Sequence, residues 1–87
     1  MTRFIETVAE RFPQALEGGV SMMTIAELMV PGGEWHGILS RVNGLTPINV
    51  ARSLGIFLKA RYDRTFGEWQ ITRKRDAEAN LLLIRRL

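Results

Sequence analysis

The hydrophobic period of this chain changes once, near Gly67, and that change restricts the fold more than any other feature. Before it, apolar residues recur three and four positions apart, the spacing of one face of a helix. After it, Trp69 and Ile71 alternate with Gln70 and Thr72, the period of a half-buried strand. Leu81 to Ile84 are apolar throughout, and their length and position favour a strand over a helix. The connection RDAEAN before them is polar and suits a hairpin tip. EWQITRK and LLLIRRL are therefore read as the two strands of one terminal hairpin. Helices first and a hairpin last predict an α+β fold, mainly α, with three or four helices followed by a C-terminal β-hairpin. At 87 residues the chain has room for one domain, 1–87, around one core.

Four helical segments precede the hairpin. Phe4, Ile5, Val8, Ala9 and Phe12 share one face of a first helix over residues 2–12, with Arg3, Glu6, Glu10 and Arg11 on the other. Pro13 ends or kinks it, with room for a further turn to Glu17, and Gly18-Gly19 closes the segment. Ser21 or Thr24 can cap a second short helix, SMMTIAELMV, whose core face is Met22, Ile25, Leu28 and Met29 and which Pro31-Gly32-Gly33 breaks. EWHGILSRV predicts a third, with Trp35, Ile38, Leu39 and Val42 on one stripe and Asn43-Gly44 as its stop. Thr46-Pro47 starts a fourth, over residues 47–62. The threonine oxygen can accept an orphan N–H, and proline at the first position needs no hydrogen bond. Val50, Ala51, Leu54, Phe57, Leu58 and Tyr62 face the core, leaving Asn49, Arg52, Ser53, Ile56 and Lys59 nearer solvent. Gly55 costs about 1 kcal/mol of helix propensity, which implies a close helix contact at that point.

Residues 41–87 hold ten Lys/Arg against four Asp/Glu, a net of +6, whereas residues 1–40 carry −3. A basic helix and hairpin joined to an acidic helical half is the layout of a small nucleic-acid-binding module. Nothing resembles an active site. His36 is the only histidine and reads as a surface or boundary residue, and without cysteine there is no thiolate metal site or disulfide. Glu6 and Glu10, at i and i+4, have the pattern of a solvated helix face, and no glycine run forms a phosphate-binding loop. Met22, Met23 and Met29 read as core filling before an adaptable docking surface. The expectation is a non-enzymatic protein with no cofactor and no metal. The lack of cysteine fits a reducing cytoplasm. The longest apolar run is far below the roughly 20 residues needed to span a bilayer. Acids also stand near the N-terminus where a signal peptide would be apolar, so a soluble, unprocessed, cytoplasmic chain is expected.

The order of helices and terminal hairpin is the winged helix-turn-helix plan. Within it, NVARSLGIFLKARYDRTFGEWQITRKRDAEANLLLIRRL resembles the small winged-helix domain at the C-terminal end of many phage and mobile-element primase-helicase proteins. The matching pattern is A-x-x-L-G-x-x-L in the helix, then a Gly-containing strand with an aromatic residue, then a wing. Here those residues are Ala51, Leu54, Gly55, Leu58, Gly67 and Trp69, and the resemblance covers roughly residues 24–87. The chain begins with its own methionine and has no ATPase or primase body, so helicase activity is not carried over. What the resemblance implies is a DNA-contacting helix and wing.

In such a fold the helix in front of the hairpin enters the major groove, which makes residues 47–62 the reader. Asn49, Arg52, Ser53 and Lys59 are the candidate contacts, with Asn49 suited to adenine and Arg52 to guanine. Arg73, Lys74 and Arg75, at the entrance to a wing over residues 73–80, are candidates for backbone phosphates, against a field partly cancelled by Asp76 and Glu78. Arg85-Arg86 is a weaker candidate, and Lys59, Arg61 and Arg64 also suit the helix C-terminal dipole. The expected function is a double-stranded-DNA-binding phage or mobile-element regulator of transcription or replication, possessing a first helix available for homodimer or partner contact. The alternative is a winged-helix module that binds or inhibits a protein without binding DNA. RNA binding lacks its usual sign, because the aromatic residues are committed to the core.

Overall fold

Pro13 biases the residue before it away from helical geometry, and Phe12 accordingly leaves the helix at φ −127°, ψ 78°. The computed structural model describes residues 1–76 and 79–87. Its elements run α1 (Thr2–Arg11), a 3₁₀ turn (Pro13–Leu16), β1 (Val20–Ser21), α2 (Met22–Met29), α3 (Pro47–Lys59), β2 (Thr65–Phe66), β3 (Trp69–Asp76) and β4 (Ala79–Arg86). The strands form one antiparallel sheet in the order β1-β4-β3-β2. The chain is thus α+β, with three α-helices on a four-stranded sheet whose main body is the C-terminal hairpin.

Each helix buries the face its sequence pattern marks. Phe4, Ile5, Val8 and Ala9 of α1, Met22, Ile25, Ala26 and Met29 of α2, and Val50, Leu54 and Leu58 of α3 are buried. Leu28 and Phe57 are only half-buried. The Ser21 hydroxyl caps α2 by accepting from the Met23 N–H (3.2 Å), and Thr46 Oγ1 caps α3 by accepting from the Asn49 N–H (3.3 Å). In the sheet, Ile71, Leu82 and Ile84 are buried, with Ile71 opposite Ile84 and Val20 opposite Leu82, so the apolar run Leu81–Ile84 alternates in burial as a strand should.

Three expectations need correcting. EWHGILSRV is not a helix: residues 31–41 are turns and bends. The Trp35 N–H is spent on Leu28 O at the end of α2 (2.8 Å), and the following bonds reach back only three residues, from His36 to Gly33, Ile38 to Trp35 and Val42 to Leu39. Gly37, at φ 83°, turns the chain out of any helical path. Trp35 and Leu39 are nevertheless buried, with Ile38 and Val42 packed partly against the core. The amphipathic stripe is real; successive turns carry it. Secondly, α3 stops at Lys59, short of residue 62. Thirdly, Gly55 allows no close helix contact, since a Cβ built there meets nothing within 4 Å. The strand β1 has no counterpart in the sequence expectations. Gly19, at φ 103°, brings it in so close to β4 that a Cβ would stand 2.9 Å from Leu81 Cβ.

Asp63 joins α3 to the sheet. It holds the left-handed conformation (φ 65°), alone among non-glycine residues described. Its N–H donates to Ile71 O (2.7 Å), its carbonyl accepts from Gln70 Nε2 (3.1 Å), and its carboxylate Oδ1 accepts from Thr72 Oγ1 (3.2 Å). Replacing Asp63 with alanine keeps the unfavourable backbone but removes the carboxylate. Asp63→Ala is expected to lose about 1–2 kcal/mol in urea unfolding, whereas Asp63→Asn, which tolerates left-handed geometry and retains an acceptor, stays within about 0.5 kcal/mol of the parent. Equal stability of the alanine and asparagine variants would refute this role.

Candidate nucleic-acid interface

Because α3 buries Val50, Leu54 and Leu58, the helical repeat turns Ile48, Asn49, Arg52, Ile56 and Lys59 outward, and all five are exposed. Arg52 and Ile56, one turn apart, form the crest of this face, and a groove runs along each side of it. The first, about 550 Å³, lies between α3, the start of α2 and the hairpin. Its cations are Arg52, Lys59 and Arg73, and Met23, Gly55, Ile56, Tyr62 and Asn80 are among its other lining residues. The second, about 530 Å³, lies between α3 and the connection before it. Its cations are Arg41, Arg52 and Arg61, beside Asn43, Asn49, Ser53 and Ile56. Among the described residues, no Asp or Glu lines either groove.

The sequence candidates separate on this geometry. Arg52 borders both grooves, Lys59 and Arg73 border the first, and Asn49 and Ser53 the second. Ser53 Oγ accepts from the Asn43 N–H (3.1 Å), so this side chain pins the α2–α3 connection against α3. The run Arg73-Lys74-Arg75 does not act as one patch. Arg73 and Arg75 share the strand face of buried Ile71, the face toward the helices, and alternation puts Lys74 on the opposite face. Arg75 is exposed further along the hairpin and borders neither groove. The connection expected over residues 75–80 is shorter than that: Arg75 and Asp76 continue β3 and pair with Asn80 and Ala79 of β4, while Ala77 and Glu78 lie outside the described residues.

Other cations have partners within the chain. Arg86 pairs with Glu68 (2.8 Å) and lies over the Trp69 ring at 5.5 Å. The Arg61 guanidinium donates to Phe57 O (2.7 Å) and sits over the Phe57 ring at 3.9 Å, which holds it at the rim of the second groove. Arg64 and Arg85 are exposed, and His36 is exposed on a turn. Met22 and Met29 are buried, while Met23 is exposed at the first groove.

Sequence reasoning overlooked Arg41, Tyr62 and the apolar crest. Arg41 was hidden by the assignment of its segment to a helix, where it had no distinct position. Among the described residues the buried Tyr62 hydroxyl has no hydrogen-bond partner. Burial pushes the phenol above its ordinary pKa, with Arg73 pulling in the opposite direction, so it remains neutral at pH 7. Helix phase already places Ile56 nearer solvent, and it is exposed; its place at the edge of both grooves follows only from the folded structure. Among the described residues there is no cluster of three or more His, Cys, Asp or Glu to hold a metal, and no helix long and apolar enough to cross a membrane. No protein-family model, curated protein or solved structure matches this chain.

Gly55 therefore widens the first groove at the cost of helix stability. Gly55→Ala is expected to stabilise the fold by about 0.5–1 kcal/mol, measured as a raised urea midpoint at unchanged slope. A loss of stability would mean that the glycine has a packing role.

Proposed function

We propose that this chain is a small, non-enzymatic double-stranded-DNA-binding protein of winged helix-turn-helix type, with α3 as the major-groove reader and the β3–β4 hairpin as the wing. The observation that carries this reading is the pair of grooves flanking α3, lined by five cations and, among the described residues, no carboxylate. A helix with its side chains is about 10–12 Å across, and the major groove is about 12 Å wide. A duplex seated on the α3 crest has one phosphate strand on either side of the helix. Lys59 and Arg73 stand on one side, Arg41 and Arg61 on the other, and Arg75 lies further out along the hairpin. Arg52 on the crest has the fork that matches guanine O6 and N7, and the Asn49 amide matches adenine N6 and N7.

The element order supports the winged-helix reading: a helix pair, α2 and α3, precedes the hairpin, with only the two-residue β2 between, and β1 before α2 pairs with β4. One feature departs from the plan. Residues 30–46 connect the helix pair, a longer path than the three- or four-residue turn of the simplest helix-turn-helix units. In the proposed role the protein acts in the cytoplasm on transcription or replication of a phage or other mobile element, the setting its sequence resemblance suggests. One module offers a small DNA interface, so specific sites would require a second copy, with the exposed polar face of α1 as the contact.

A second reading, a protein-binding module, draws on exposed apolar residues around the start and middle of α3: Leu45 is 83% exposed, Ile56 71% and Ile48 59%. Salt separates the two. Five phosphate contacts give a log–log slope of about −4 to −5, so affinity for random-sequence duplex should fall a few hundred-fold between about 50 and about 200 mM salt. Fluorescence anisotropy is expected to show this loss. Arg52→Ala should weaken binding throughout, and Arg73→Ala/Arg75→Ala should flatten the slope by about 2. No binding at the lower salt, or binding indifferent to salt, would overturn the DNA reading in favour of a protein partner.

A further inference from the structure

Resting on the DNA reading, we infer that Ile56 is a specificity-determining residue that recognises the 5-methyl group of thymine in the major groove. The crest of α3 is apolar and cationic by turns: Ile48, Arg52 and Ile56 follow one another at intervals of four residues, so all three lie on one side of the helix. Ile48 and Ile56 are 59% and 71% exposed, and Ile56 borders both grooves, as Arg52 does. A branched apolar side chain held in water amid cations has no task in the fold. In the major groove, base edges present hydrogen-bonding groups and one kind of apolar group, the methyl at C5 of the pyrimidine ring. Arg52 supplies charge and hydrogen bonds, and Ile56 supplies the apolar surface that methyl needs. Gly55 leaves the approach open on one side, because nothing stands within 4 Å of where its side chain would begin. The charge complementarity of the two grooves commits the occupant to DNA. A protein partner would seek the apolar residues of the crest but would meet Arg52 between them and four cations at the edges.

The test deletes or adds only the methyl. Anisotropy titrations compare an alternating dA–dT duplex with the same duplex carrying uracil for thymine, and an alternating dG–dC duplex with its 5-methylcytosine form, all over the same series of salt concentrations. Burying one methyl-sized group corresponds to about a fourfold gain in affinity. The methyl-bearing member of each pair should bind about fourfold tighter or better, with the same salt slope. Ile56→Ala should bring the two members of each pair to equal affinity while still binding DNA. Ile48→Ala should leave the preference unchanged, and its loss in that variant would overturn the assignment to Ile56.

Equal binding of methylated and unmethylated duplexes by the parent protein overturns the inference and leaves the DNA reading standing. A methyl preference that survives Ile56→Ala also overturns it, since the effect then arises from duplex shape. Failure to bind any of the four duplexes at low salt overturns the DNA reading itself, and this inference with it.

Discussion

The burial of one face of α3 is the constraint from which the rest of the molecule follows. Val50, Leu54 and Leu58 are buried in the common core, with α2 packed along α3, at or near zero exposure. A helix that buries three residues at four-residue spacing has lost its freedom to rotate about its axis. Its opposite face is thereby decided, and that face carries Ile48, Arg52 and Ile56. Rotation by a single residue, about 100°, would expose a core leucine and carry Arg52 out of line with both grooves. Core packing and the candidate interface are therefore two sides of one arrangement. Mutations in the core should disturb the interface through the orientation of α3, even where they touch no groove residue.

The second dependence is the register of the hairpin relative to α3. Strand side chains alternate, so a slip of one residue would exchange Arg73 and Lys74 between the two faces of the sheet. Several contacts oppose such a slip. Asp63 ties the end of α3 to Gln70, Ile71 and Thr72, while the pairs Ile71–Ile84 and Val20–Leu82 place apolar side chains together on the inner face. Of these, the Asp63 contacts act at the junction itself. They convert a local turn, which sequence shows only as a polar stretch after a helix, into the device that sets Arg73 and Lys59 on one groove.

What could be read beforehand divides along physical lines. The α3 start was legible because Thr46-Pro47 acts locally, through a hydroxyl cap and a fixed φ, and the hairpin was legible because alternation over several residues is a period that can be seen. β1 and β2 were not, since two residues carry no period and both strands exist only through pairing with distant residues. EWHGILSRV shows a different limit. Spacing reports which residues are buried, and it did so correctly for Trp35 and Leu39, but turns can satisfy the same spacing as a helix. The competing signal, glycine at 33 and 37, was present and outweighed. The site divides likewise: Arg52, Lys59 and Arg73 came from charge and helix phase, whereas Arg41 needed the folded path of residues 30–46.

On the DNA reading, the four groove cations beside the crest and the crest itself have separate tasks. Phosphate is the same at every base pair, so Arg41, Lys59, Arg61 and Arg73 contribute affinity and orientation without sequence information. Arg61 is held over the Phe57 ring by its bond to Phe57 O, which limits the side-chain entropy lost when a phosphate arrives. Sequence information rests with Asn49, Arg52 and Ile56. Their contributions differ in kind: hydrogen bonds at Asn49 and Arg52 penalise a wrong base by leaving donors unpaired, whereas an apolar contact at Ile56 only fails to gain. Discrimination against a mismatch should then be steep at the arginine and asparagine positions and shallow at the isoleucine. The net +6 of residues 41–87 would hold the protein on any duplex while that smaller set of contacts distinguishes one from another.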